Sequence, residues 1–501
     1  MLKIHNLNIE INGETLLMAD DLQIQEHKTI GLIGRIGSGK TTLFNHILSH
    51  PDHFTDDTFQ LIPQIKDSDI GKSGGETTKL YLDRTLNRDA GMLLLDEPTT
   101  HLDEQNTESL VNKLNHIKNI KIIASHDRGF LNRIADEIWS IEDKKIKVYP
   151  GNYDRYKEMK DHQFERAKEE YKQYVNKKAQ LENAVENKKK QAYQANRVDG
   201  TKVETPYYNK QQKRLHQVAK GMQSRLDQLE KKEKPKVEKE VKFHTQYMES
   251  LGHKTIIRIE HEKIKRDGKN IIEDGTLFVK ASEKVAITGS NGSGKTTLLN
   301  HINKKYKDST LKIGYFYQQL ESLDNEMSIM ENISVTSQYD ETTVRTVLAR
   351  LGIRREAVHK KVKVISGGER VKVQLVKILL SDIQVLMLDE PTNFLDIHTL
   401  EALEEMLESH PATIILVSHD KVLIDSVTDI EYAVKDGRLI SDQKASPIDD
   451  TEEELMILDN KIAEILGKLS IEPSEALDRE FNHLIQEKRV LKDKANERRQ
   501  Q

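Results

Sequence analysis

Residues 34–42 read Gly-Arg-Ile-Gly-Ser-Gly-Lys-Thr-Thr, and residues 289–297 read Gly-Ser-Asn-Gly-Ser-Gly-Lys-Thr-Thr. Both match Gly-x-x-x-x-Gly-Lys-Thr, a spacing in which glycines let backbone N–H groups wrap a polyphosphate. Lys40 and Lys295 would neutralise the β- and γ-phosphates, and the hydroxyls of Thr41 and Thr296 suit Mg²⁺. Gly34, Gly37, Ser38, Gly39 and Thr42 complete the first cradle; Gly289, Asn291, Gly292, Ser293, Gly294 and Thr297 complete the second. The two loops lie 255 residues apart, and each is followed by the same ordered set of motifs.

Behind each loop stand carboxylates, a histidine and a glutamine. Asp96-Glu97 and Asp389-Glu390 each end an apolar run. That position is the carboxyl edge of a parallel sheet, beside the phosphate loops. There Asp96 and Asp389 would hold Mg²⁺ directly or through water, and Glu97 and Glu390 would orient or deprotonate an attacking water. His126 and His419 each follow a strand and a serine, where an imidazole can donate to the γ-phosphate or polarise the water. Gln64, in Leu61-Ile62-Pro63-Gln64, and Gln318, in Tyr315-Phe316-Tyr317-Gln318, can reach the metal and sense the γ-phosphate. Ser73-Gly74-Gly75-Glu76 and Ser366-Gly367-Gly368-Glu369 offer a hydroxyl and bare amides at a helix start, which suit an incoming γ-phosphate.

These side chains need a sheet to hold them. Gly31-Leu32-Ile33, Met92 to Asp96 and Lys121 to Ser125 are short apolar runs in the first half; Val285 to Thr288, Val385 to Asp389 and Ile414 to Ser418 match them in the second. Such runs, separated by helical stretches, predict an α/β fold with parallel sheets covered on both faces, present twice. The halves differ in one interval: Lys40 is 33 residues from Ser73, whereas Lys295 is 71 residues from Ser366. The second interval includes a helical stretch around Glu341–Leu351.

A different period separates the halves. Phe164, Ala167, Tyr171, Tyr174, Lys178, Leu181 and Val185 step by three and four, as do Leu215, Val218, Met222, Leu226 and Leu229. These are the seams of two helices. Asp199-Gly200 and Thr205-Pro206 break them, so an antiparallel hairpin with arms of about 30–40 residues and a bend at 193–207 is expected. Tyr193, Tyr207 and Tyr208 at the bend are candidates for contact with a partner.

Charge sharpens this picture. Residues 151–240 hold 23 Lys and Arg against 15 Asp and Glu, a net of +8, which leaves −13 on the rest of a chain whose total is −5. A basic rod between acidic bodies suits a polyanionic partner. The 501-residue chain exceeds a single core, so several domains are expected. It has no cysteine, which excludes disulfides, thiolate zinc sites and cysteine nucleophiles. No apolar run reaches the roughly 18–20 residues of a membrane span, and the N-terminus lacks the apolar run of a secretion signal. A cytoplasmic protein is expected.

The order of phosphate loop, glutamine, Ser-Gly-Gly-Glu, Asp-Glu and Ser-His-Asp resembles the ATP-binding-cassette ATPases, over both halves. That resemblance implies ATP with Mg²⁺ at two composite sites: ATP on Lys40 closed by Ser366, and ATP on Lys295 closed by Ser73. Asp103 and Asp396 match the segment that crosses this interface. Closure needs the γ-phosphate and hydrolysis releases it, which makes a two-state clamp. The family usually stacks an aromatic ring on adenine. Residues 1–30 contain no Phe, Tyr or Trp, and Phe278 falls in an apparent core strand. Aliphatics such as Ile11 are therefore expected to meet the base, which leaves GTP open as an alternative.

Two cassettes joined by a basic helical hairpin, which opens with Gly151-Asn152-Tyr153-Asp154-Arg155-Tyr156, resemble the ABC-F class of cytosolic translation factors. The shortened first cassette with Lys72 to Glu76, and the tail Leu469 to Glu475 followed by Phe481 to Arg489, are similar to the Vga-type antibiotic-resistance subgroup of Gram-positive bacteria. The bend at 193–207 is shorter than in that subgroup. The resemblance implies a monomer whose two cassettes pair within the chain, bound at the exit-tRNA site of the 70S ribosome. Lys188, Lys189, Lys190, Arg197, Lys210, Lys213 and Arg214 would meet 23S rRNA and tRNA there. It further implies protection against lincosamides, streptogramins A and pleuromutilins, with hydrolysis releasing the factor.

The expected domains are residues 1–150, a hairpin over 151–242, a second cassette over 243–444 and a helical extension over 445–501. A housekeeping ABC-F regulator of elongation would carry the same motifs. An ATPase acting on DNA would instead insert its coil between a phosphate loop and the Ser-Gly-Gly motif of one cassette, whereas here the coil follows a complete first set.

Overall fold

The computed structural model describes residues 2–4, 7–11, 13–49, 59–64, 82, 86, 91–100, 102–194, 197–198, 201–202, 206–235, 241, 243, 254–266, 268–317, 323–393, 395–441, 481, 483–486 and 488. Its chain forms two compact units. The first comprises Met1–Ser250, Leu311–Ala412 and Ser418–Val427; the second comprises Leu251–Thr310, Thr413–Val417 and Thr428–Gln501. Ser73 to Glu76, Gln318 and nearly all of the tail beyond residue 441 lie outside the described residues.

In the first unit an eight-stranded sheet runs in the order Leu7–Ile11, Glu14–Ala19, Lys145–Pro150, Glu137–Glu142, Thr29–Gly34, Ile120–Ala124, Met92–Asp96 and Phe59–Ile62. Thr29–Gly34 pairs in parallel with both of its neighbours, and the strands out to Phe59–Ile62 are parallel as well. Every residue of Thr29–Gly34, Met92–Asp96 and Ile120–Ala124 is buried. Alternation along each strand explains why no polar face appears. Met92 and Leu94 join Ile30, Leu32, Phe44 and Trp139 in one apolar layer, while Leu93 and Leu95 join Ile33, Leu110, Phe130 and Leu131 in the other. With both faces covered by helices, apolar side chains are favoured at every position.

This unit also holds part of the second half. Strands Ile313–Phe316 and Val385–Asp389 pair in parallel, and helices Glu341–Arg350, Gly367–Leu379, Ile397–Ser409 and Lys421–Val427 accompany them. The helical stretch expected around Glu341–Leu351 is present and is capped by Asp340, whose side chain accepts from the Thr343 amide.

The second unit carries the second phosphate loop. Lys284–Gly289 lies parallel to both Thr413–Val417 and Ile430–Lys435. A long antiparallel pair, Thr255–Arg266 with Lys269–Lys280, flanks them, and helix Lys295–Lys305 follows the loop. Phe278, expected in a core strand, is half-buried under the Arg258 guanidinium, 5.6 Å from its ring centre.

The helical hairpin is unequal. Its first arm, Tyr153–Gln194, has 42 residues and its second, Pro206–Asp227, has 22, so the expectation of two arms of 30–40 residues is corrected. At 1.5 Å per residue they are roughly 63 and 33 Å long. The second helix ends at Asp227, and just past it the Leu229 amide bonds to Leu226 O in a tight final turn. A short arm cannot cover a long one. Val185, Ala192 and Ala219 are buried in the seam, but Phe164 and Ala167, assigned to it from their spacing, are exposed. Arg197–Val198 and Thr201–Lys202 pair antiparallel at the bend, and Asp-Gly is the dipeptide favoured between strands in such register. Among the described residues no helix is long and apolar enough to cross a membrane.

Candidate nucleotide sites

Strand Thr29–Gly34 delivers the chain into the first phosphate loop, and helix Lys40–Ser49 leaves it. Gly37 and Gly39 have φ of +79° and +99°, in the left-handed region that costs glycine little. At Gly39 a Cβ would also stand 2.9 Å from Leu16 Cδ2. Lys40 is buried and its Nζ donates to Gly34 O at 2.8 Å and reaches Arg35 O at 3.5 Å. The Ser38 hydroxyl is buried with no hydrogen-bond partner, an orphan that a phosphate oxygen would satisfy. Thr41 Oγ1 donates to Asp96 Oδ2 at 2.7 Å. A hydroxyl and a carboxylate oxygen so placed fit the oxygen preference of Mg²⁺.

The catalytic candidates converge beside them. Glu97 follows its strand with φ +50°, and Glu390 repeats this at +48°; strain held at both matching positions is a mark of sites where geometry is dictated by chemistry. Glu97 Oε2 accepts from the His126 amide at 3.2 Å, and its Oε1 stands 3.3 Å from His126 Nε2. That same Nε2 is 3.2 Å from Lys40 Nζ. Burial pushes the Glu97 carboxyl up to about 8 against the pull of Lys40. Burial, aided by Lys40, pushes the His126 imidazole down to about 3, so it is neutral. Gln64 is exposed.

The second loop repeats the first. Gly292 and Gly294 have φ of +78° and +108°, Lys295 Nζ donates to Gly289 O at 2.8 Å and Ser290 O at 3.1 Å, and the Ser293 hydroxyl is a buried orphan like Ser38. A Cβ on Gly294 would collide with the Ile271 side chain. Thr296 and Thr297 stand in the first turn of helix Lys295–Lys305, and Asn291 is exposed in the loop. In the other unit, Asp389 is buried at its strand end and Glu390 Oε1 lies 3.5 Å from His419 Nε2.

Ser366 caps helix Gly367–Leu379. Its hydroxyl and amide both bond to the Glu369 carboxylate at 2.9 Å, and the Glu369 amide returns to Ser366 Oγ. This capping box orients the exposed Gly367 and partly exposed Gly368 at a helix start. Six residues on, buried Lys372 reaches Asp396 Oδ2 at 3.5 Å and Thr399 Oγ1 at 3.0 Å. Asp396 Oδ2 also accepts from the amide of Ile36, inside the first phosphate loop, at 3.3 Å. Burial alone would raise the Asp396 carboxyl, yet Lys372 and two hydrogen bonds from Thr399 hold it down to about 2. Asp103 caps helix Glu104–His116 in the equivalent way, accepting from the Asn106 amide.

Sequence reasoning missed Lys372 and Arg128, and it named Tyr153 only as part of the segment that opens the hairpin. Arg128 is 1% exposed, and its guanidinium donates to Glu404 at 2.6 Å and Asp420 at 3.4 Å. Tyr153 donates to Glu401 at 3.0 Å. Only the position of Arg128 directly after Ser125-His126-Asp127 hinted at it.

A family model described as ABC transporter matches residues 272–393. The ribosome protection protein VmlR of Bacillus subtilis (strain 168) is 30% identical in an alignment 531 positions long, gaps included, that covers 96% of this chain and 96% of that protein. The erythromycin resistance ATP-binding protein MsrA of Staphylococcus epidermidis is 30% identical, covering 88% of this chain and 99% of that protein. Among solved structures, one titled RNase-L Inhibitor superposes with a TM-score of 0.55 at 15% identity, covering 87% of this chain and 89% of that one; it shows a shared fold of two tandem ATPase domains.

Proposed function

Because the chain belongs to the ABC-F family of ATPases, we propose that it is a ribosome protection factor: it binds the 70S ribosome while ATP holds its cassettes closed and relieves inhibition by drugs at the peptidyl-transferase centre. The observation that carries this reading is the match, over 96% of both chains, to a protein named for ribosome protection. That span includes the basic hairpin as well as the cassettes.

At the first site Lys40 holds the β- and γ-phosphates of ATP, and Ser38 bonds a phosphate oxygen through its orphan hydroxyl. Thr41 and Asp96, with Gln64, would hold Mg²⁺, which when bound spreads the charge of the phosphates. Glu97 takes the proton of the attacking water as its oxygen bonds to the γ-phosphorus and ADP departs; a carboxyl lifted by burial is a stronger base once ionised. His126 Nε2 faces both Lys40 and Glu97, and one tautomer cannot serve both. Turning Lys40 toward ATP leaves His126 to orient Glu97 or donate to the γ-phosphate. Thr296, Asp389, Gln318, Glu390 and His419 repeat these roles on Lys295. Ser366 and Ser73 each close the site of the other half.

Lys189, Lys190, Lys210, Lys213 and Arg214 are exposed along the hairpin. They would contact rRNA and tRNA phosphates at the exit-tRNA site, a recognition by charge and shape. The hairpin end would then shift tRNA and 23S rRNA so that lincosamides, streptogramins A or pleuromutilins leave, and hydrolysis frees the factor.

Cell-free translation tests the reading. Added protein with ATP should restore synthesis inhibited by a representative of each of the three drug classes. A factor that changes elongation equally with and without drug would instead be a housekeeping regulator.

A further inference from the structure

We infer that helix Ile397–Ser409 carries the state of the first nucleotide site to the root of the hairpin, with Tyr153 and Glu401 as the positioning residues that transmit it. Three contacts meet on this one helix. Its cap, Asp396, takes the Ile36 amide inside the phosphate loop at 3.3 Å. Glu401 accepts from the Tyr153 hydroxyl at 3.0 Å. Glu404 accepts from Arg128, two residues past His126, at 2.6 Å. Glu401 and Glu404 stand three apart, which puts both carboxylates on one face of the helix.

Tyr153 is the first residue of the 42-residue arm. Its ring is fixed independently of its hydroxyl: it lies 5.8 Å from Tyr156, which in turn meets Tyr149 edge-on at 5.0 Å. All three belong to the apolar layer that Ile397 also enters. The root of the arm is therefore held from two sides, by the first-half core and by Glu401. An arm roughly 63 Å long turns a tilt of about 5° at its root into a movement of about 5 Å at its far end. A small shift of the helix, set by what fills the loop around Ile36, is amplified at the bend. The inference rests on the reading that nucleotide closes the first site.

The chain has no cysteine, so Gln180→Cys on the arm and Glu356→Cys on the second half, both exposed, accept a dye pair in the full-length protein. The distance between dyes is read in ADP and in a non-hydrolysable ATP analogue, with ATP turnover measured on the same unlabelled variants. In the otherwise unaltered chain the distance should shift between nucleotides. Tyr153→Phe and Glu401→Leu should each lose that shift while turnover without ribosomes is retained, and Glu401→Gln, which keeps an acceptor, should preserve it. A full shift in Tyr153→Phe overturns the inference, as does loss of turnover in step with the shift. Absence of any shift in the unaltered chain instead overturns the closure reading, and this inference with it.

Discussion

Asp396 Oδ2 accepts a hydrogen bond from the Ile36 amide at 3.3 Å, joining a helix cap to a phosphate loop 360 residues earlier in the chain. The same oxygen is the counter-charge of Lys372, on the helix that Ser366 opens. The first phosphate loop is thereby tied to the Ser-Gly-Gly segment of the other half through one buried carboxylate.

Asp396→Asn keeps the capping oxygen that accepts from Thr399, but it removes the charge and puts an NH₂ donor where Oδ2 accepts from Ile36 and Lys372. It leaves buried Lys372 without compensation, so a loss of about 3 kcal/mol is expected. Chemical denaturation reads it, and the double variant with Lys372→Met should recover most of the loss. If Asp396→Asn costs no more than an exposed ion pair does, Lys372 is not held as described.

Arg128→Met should destabilise by roughly 3–5 kcal/mol, because Glu404 and Asp420 are left facing each other across a buried gap. Arg128→Lys should rescue little: one ammonium cannot span two carboxylates as the planar guanidinium does. A lysine variant with the parent's unfolding midpoint would contradict this.

Such pairs mark where the sequence stops being readable. Met92 to Asp96 and Lys121 to Ser125 are legible as strands because a sheet covered on both faces demands unbroken apolar runs. The phosphate loops were visible because Gly37 and Gly39 must adopt positive φ. In contrast, Arg128 and Glu404 lie 276 residues apart, and no local period encodes such a partnership. The hairpin failed in a different way. Spacing gives a helix its stripe, but what covers Phe164 depends on where the other arm ends, and Asp227 ends it early. The left-handed backbone of Glu97 and Glu390 left no trace in residue type, since glutamate gives no sign of it.

Asp127 predicts a pH dependence. Burial, with Asp420 adding and the Phe130 amide, Arg133 and Arg128 opposing, pushes its carboxyl up to about 6. The folded state therefore binds a proton between the ordinary carboxylate value of about 4 and about 6 that the unfolded chain has released. Its contribution to stability is present below pH 4 and declines as pH rises to 6. Asp127→Asn stays neutral throughout, so the unfolding midpoint of the parent relative to this variant should fall across that window. A constant difference from pH 4 to 7 would contradict the buried placement.

The most direct test of the account is cosedimentation of Glu97→Gln, Glu390→Gln protein with 70S ribosomes. Loss of both bases should slow ATP turnover by roughly 10²–10⁴-fold and hold the cassettes closed on ATP. The account predicts that this variant pellets with ribosomes in ATP and is released in ADP, whereas the parent pellets weakly in both. Equal pelleting of variant and parent in ATP would contradict a nucleotide-held clamp on the ribosome.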